Sequence, residues 1–88
     1  MTFKEQFNQA IEWQKKVALV SLYHNTKLIK NKEWRVRDTA NYFGISVGHC
    51  SENINLSRHF DEVSQCQSRN KALELIGANH GRNVETIR

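Results

Sequence analysis

The sequence predicts an all-α fold, a small bundle of about four to five helices, and three observations carry that prediction. The chain has no proline and only four glycines, so little in it forbids long helical stretches. Its apolar residues recur at three- and four-residue spacing rather than in alternation, which is the helical period. Its 88 residues, 39% hydrophobic and 25% charged, suit one folded domain with one core, here expected to span 1–88.

The first helix is expected from about Thr2 to His24. Phe3, Phe7, Ala10, Ile11, Val17, Ala18 and Leu22 form its apolar stripe, and Lys4, Glu5, Asn8, Gln9, Glu12, Lys15 and Lys16 its polar side. Trp13, Leu19, Val20 and Tyr23 widen the stripe, which fits either several packed neighbours or a dimer contact. Asn25 to Lys32 is polar and basic and reads as the end of that helix, an extra turn and a connector. Trp34 stands among charges and is expected to pack over the start of the next helix with its indole edge partly exposed.

A second helix is expected over about Arg37 to Phe43 and a third over about Val47 to Arg58, with Gly44, Ile45 and Ser46 as the turn between them. A fourth covers about 61–76, with Val63, Cys66, Ala72, Leu73, Leu75 and Ile76 on its apolar face and Gly77 ending it in the left-handed conformation. Residues 78–88 carry only Val84 and Ile87 as branched apolar anchors and read as a tail or a loosely docked turn.

Residues 35–54 are the most informative stretch. Two helices crossing steeply need a small residue where they touch, and Ala40 supplies one. The chain must turn sharply after Phe43, and Gly44 can take positive φ there. Ile45 can plug the core from the turn. Ser46 can cap the next helix through a backbone N–H near Gly48 or His49. Cys50 and Ile54, four apart, face inward together, and Val47 belongs on the same side. Val36, Phe43, Ile45, Cys50 and Ile54 thus form one small core around Ala40, and Gly44 completes the motif.

This pattern, over about 36–56, resembles the helix-turn-helix of bacterial and phage DNA-binding proteins. Ala40 matches the small residue of that motif's first helix, Gly44 the turn glycine, Ile45 the apolar residue after it and Ser46 the serine that opens the recognition helix. Cys50 stands where valine or isoleucine is more usual, and Gly48 inside the recognition helix weakens it slightly.

The resemblance implies sequence-specific binding of double-stranded DNA, with transcriptional regulation as the expected role and residues 47–58 in the major groove. Gly48, His49, Ser51, Glu52 and Asn55 are the implied base-edge residues. Asn55 can pair with adenine and Glu52 can accept from cytosine. Lys27, Lys30, Lys32, Arg35 and Arg37 precede the motif directly and are expected on phosphates, with neutral help from Thr39 and Tyr42 and with Arg58 and Arg69 on the far side. One such module reads few base pairs, so a homodimer is expected, through Trp13, Val20 and Tyr23 or through Leu73 and Ile76. Small phage, plasmid or bacterial regulators, repressors among them, resemble the chain best in size and motif.

The net charge of +4 suits a polyanionic partner without proving one. Cys50 and Cys66 read as reduced thiols of a cytoplasmic, nucleoid-associated protein. No stretch resembles a signal peptide, and the apolar run Val17 to Val20 is far too short to span a membrane. No metal site is expected: His24, His49, His59, His80 and the cysteines lack ligand spacing, and His59 with Cys66 makes only two ligands. No cofactor motif or catalytic pairing is present, so no enzyme is expected. Little chain remains to build a pocket for a small-molecule effector. Two alternatives stay open: a protein-interaction module sharing this geometry, and an architectural DNA-binding protein of excision or segregation.

Overall fold

The computed structural model describes residues 1–77, and the expected tail at 78–88, with His80, Val84 and Ile87, lies outside them. The described residues form six helices and no strand: α1 (Phe3–Gln9), α2 (Trp13–Lys30), α3 (Val36–Phe43), α4 (Val47–Arg58), α5 (Phe60–Val63) and α6 (Arg69–Ile76). None of them is long and apolar enough to cross a membrane.

The expected first helix is two helices. Ala10 is extended, at ψ 135°, and Glu12 opens α2 without a side-chain cap. Helical phase explains the break. On one continuous helix Phe3 and Phe7 would lie roughly 90° around from Val17, Val20 and His24. Breaking the chain at 10–12 folds α1 back so that all of these residues reach one interior. Phe7 then meets Phe43 at 5.0 Å and Phe3 meets Tyr23 at 5.5 Å between ring centroids. Thr2 starts α1 with a capping box closed by Glu5, whose carboxyl is held below its usual range by hydrogen bonds from Thr2. The break also corrects the expected apolar stripe: Ile11 is 95% exposed, Leu22 is 57% exposed, and Ala18 faces out.

Beyond His24, α2 continues to Lys30, so most of the polar segment is the end of this helix and only Asn31 and Lys32 begin the connector. Asn31 then turns the chain. Its carboxamide oxygen accepts from Glu33 N–H and its carbonyl from Trp34 N–H.

The expected fourth helix is also two. In a continuous helix Val63 would point roughly opposite to Ala72, yet both are fully buried in the same cluster. The chain breaks at 64–68, and Ser68 caps α6 by accepting from Lys71 N–H at 3.2 Å. Gly77 is right-handed, at φ −59°, rather than the expected left-handed cap.

The core has two parts. Phe7, Leu19, Val20, Ala40, Phe43, Cys50 and Ile54 form one, and Val17, Leu56, Val63, Ala72 and Ile76 the other. α2 and α4 contribute to both and so join them.

Candidate functional site

The turn between α3 and α4 is built from local rules. α3 opens where the Asp38 carboxylate accepts from Arg35 N–H at 2.9 Å, beside the helix's positive end. It closes on Gly44 at φ +73°, the one described residue with positive φ. The N–H groups of Gly44 and Ile45 both bond to the Ala40 carbonyl, at 2.9 and 3.1 Å, and so satisfy the helix end. Ser46 Oγ then accepts from His49 N–H at 3.0 Å and starts α4. Ala40, Phe43, Cys50 and Ile54 are buried together, and Val36 and Ile45 pack against them half-buried. Val47, expected inside, is 48% exposed.

The outer side of α4 is a continuous stripe. Val47, Gly48, Ser51, Glu52 and Arg58 are exposed and Asn55 is half-buried; His49, expected among the base-edge residues, is half-buried about a third of a turn away, beside Asn53 and Arg69. The side chains of Ser51 and Asn55 make no hydrogen bond among the described residues. Glu52 differs: its carboxylate pairs with the Arg69 guanidinium at 2.9 Å.

That pair belongs to a larger network. Arg69 Nε donates to Asn53 Oδ1 at 2.8 Å, and its Nη2 donates to the His49 carbonyl at 3.3 Å as well as to Glu52. One guanidinium from α6 thereby holds three positions of α4, His49, Glu52 and Asn53. Burial, with the positive charges of Arg69 and Lys16, lowers the His49 pKa from its ordinary value, while Glu52 opposes the shift. Asn53 is buried. Nothing in its residue type announces this role, although its place three residues after Cys50 and one before Ile54 marks the inward edge of α4. Arg69 Nε and Nη2 are therefore committed to α4, which holds the guanidinium in place rather than leaving it to swing out to a phosphate.

Of the residues expected on phosphates, Lys30, Lys32, Arg35, Arg37 and Arg58 are exposed, and none forms an ion pair among the described residues. Lys27 lies 5.4 Å from the ring centres of both Tyr23 and Trp34, which hold its ammonium against the surface. Tyr42 stacks on Tyr23 at 4.1 Å, and its hydroxyl accepts from Lys4 N–H. Burial, and then Tyr42, raise the Tyr23 pKa.

Thr39 is a correction. It is fully buried, and its hydroxyl lies 2.7 Å from His24 Nδ1 and 2.7 Å from Trp34 Nε1. An indole N–H only donates, so Thr39 Oγ1 accepts from Trp34, while the direction of its bond to His24 Nδ1 is set by the histidine's tautomer. Nothing is left to meet a phosphate. Burial, helped by the charge of Arg58, lowers the His24 pKa and so favours its neutral ring. Trp34 therefore packs on α3, as its place in the sequence leads one to expect, and its indole nitrogen reaches inward.

The expected dimer residues are also used within the chain. Val20 and Ile76 are buried. Trp13 donates from Nε1 to the Cys66 carbonyl at 3.3 Å, and Tyr23 joins the aromatic cluster. Leu73 packs half-buried against the second core cluster. Exposed apolar side chains lie elsewhere on α2, at Leu22 and Ile29.

No group of three or more His, Cys, Asp or Glu side chains among the described residues is arranged to hold a metal ion. Both cysteines are free thiols, and burial raises the pKa of Cys50. Comparison with protein families, with characterised proteins and with solved structures finds no match to the chain.

Proposed function

We propose that α3, its turn and α4 act as a helix-turn-helix, and that the protein binds double-stranded DNA in a sequence-specific way to regulate transcription. One observation carries the reading: the outer stripe of α4 is small, polar and uncommitted at Gly48, Ser51 and Asn55, while the opposite side of the same helix is locked into the core. Such a stripe lets a helix approach base edges without steric conflict, and a rigid inner side holds its register. A protein-interaction surface would more naturally turn leucine or aromatic side chains outward.

The charges support this reading. Arg35 and Arg37 sit at the start of α3, one helix of about 12 Å from the turn, with Lys30 and Lys32 just before them. Exposed cations at that distance suit contacts to the phosphates flanking a groove. Asn55 is the first choice for adenine, with Ser51 and Gly48 beside it. Glu52 bonds Arg69 through Oε1 alone, so its second carboxylate oxygen is the one to accept from cytosine. Lys27, Tyr42 and Arg58 are peripheral phosphate contacts. A homodimer would pair through α2, where Ala18, Leu22, Asn25 and Ile29 form an exposed stripe at alternating four- and three-residue spacing.

Selection from a random DNA pool at two salt concentrations tests the reading. An enriched motif is expected, weakened about 5- to 100-fold by Asn55→Ala and roughly evenly across sequences by Arg37→Ala. A symmetric motif, lost with Leu22→Asp, identifies the dimer. Binding without enrichment and with a steep salt dependence replaces regulation with an architectural role. No binding at low salt removes the DNA reading.

A further inference from the structure

The geometry points to a second binding site, on the inner side of α4: a groove for a small organic carboxylate with an apolar body. The groove holds about 330 Å³ and lies where α1, α2, the α3–α4 turn, α4 and α6 meet. That volume falls at the lower end of small-ligand sites. Phe7, Trp13 and Ile45 supply an apolar wall. Lys16, Arg69, His49 and Asn53 supply nitrogen donors on the other side.

The chemistry of the lining selects the ligand. Lys16 has no carboxylate partner among the described residues, and its ammonium lies over the Phe7 ring at 5.0 Å. Arg69 uses Nε and Nη2 on Asn53, His49 and Glu52, which leaves Nη1 without a hydrogen bond among the described residues. Two cations thus face one groove, offset by a single half-exposed carboxylate, Glu52. With two cations and one carboxylate at its edge, the groove has a net positive lining. A neutral ligand leaves that charge unanswered, and a bare inorganic anion leaves the aromatic wall wet. A planar monocarboxylate answers both: its body lies against Trp13 and Ile45 and its carboxylate reaches Lys16 Nζ and Arg69 Nη1.

Chain length argues against an effector pocket only if the pocket needs elements of its own. Here the edges of helices already needed for the core enclose it, so no extra chain is required. The other sizeable groove, beside Leu22 and Phe60, is lined without a charged residue and offers no comparable selectivity.

The test is a titration of isotope-labelled protein with benzoate, phenylacetate and indole-3-acetate, each read by amide and Arg69 Nε–H chemical shifts. Benzamide, the neutral counterpart, and inorganic phosphate are the controls. Saturable shifts at His49, Asn53 and Arg69 are expected for at least one carboxylate, with benzamide and phosphate about tenfold weaker or more. Lys16→Met, which keeps the stem over Phe7, should weaken that carboxylate about tenfold while leaving the spectrum away from the groove unchanged. The inference is overturned if none of the three carboxylates gives a saturable shift. It is equally overturned if phosphate or benzamide binds as well as they do, or if the shifts map away from the groove. The readout needs no DNA, so it stands or falls apart from the regulatory reading.

Discussion

Replacing Thr39 by Val tests the interior most directly. The two side chains have nearly the same shape, so the change removes a hydroxyl and little volume. Two groups lose their partner: His24 Nδ1 and Trp34 Nε1, each 2.7 Å from Thr39 Oγ1. A buried polar group left unpaired costs about 1–3 kcal/mol. His24 is only 6% exposed and has no easy route to water, so it should incur most of that range. Trp34 is half-buried, and its N–H can regain part of its hydration. The sum is about 2–3 kcal/mol. For a domain of this size that corresponds to a fall in Tm of roughly 10–20 °C. Thr39→Ser keeps the hydroxyl and loses one buried methyl, for a loss of about 1 kcal/mol. Urea unfolding of the three proteins, read by Trp fluorescence and circular dichroism, measures both. A Thr39→Val protein within about 0.5 kcal/mol of the parent refutes the reasoning, as does a serine variant weaker than the valine one. Full stability joined to a specific loss of DNA affinity would return Thr39 to the phosphate contacts.

Further outcomes follow from neighbouring features. His24 and His49 both have folded pKa values below the ordinary 6.5, so the unfolded chain binds more protons once the pH falls below that value. Stability is then complete above about pH 6.5 and declines as the pH drops towards the folded pKa values; urea midpoints that do not change between about pH 7.5 and 5 would contradict this. Gly44→Ala places a side chain at φ +73° with nothing within 4 Å of its Cβ, so the loss is conformational alone. It should be about 1–2 kcal/mol, with Gly44→Asn milder, and an alanine variant as stable as the parent would show that the turn can relax.

The sequence alone specified the helical class, because the lack of proline and the three- and four-residue apolar spacing admit little else. It also specified the α3–turn–α4 unit, whose determinants are all local: Asp38 and Ser46 as caps, Gly44 at positive φ, Ala40 at the contact. Local rules suffice there because each group finds its partner within a few residues. They fail where burial depends on phase between distant segments. Phe7 and Val20, like Val63 and Ala72, lie on different sides of a single helix, and only a common core requires the chain to break between them. The same holds for side-chain roles. Thr39, Arg69 and Asn53 are polar in sequence and equally suited to solvent, ligand or interior. Apart from Trp34 beside Thr39, their partners lie 15 to 20 residues away on another helix, Thr39 with His24 and Arg69 with His49, Glu52 and Asn53. Desolvation decides between these fates, since a buried polar group must find a partner and an exposed one need not. Which polar residues are structural and which stay free for a ligand is therefore set by the packing of α2, α4 and α6.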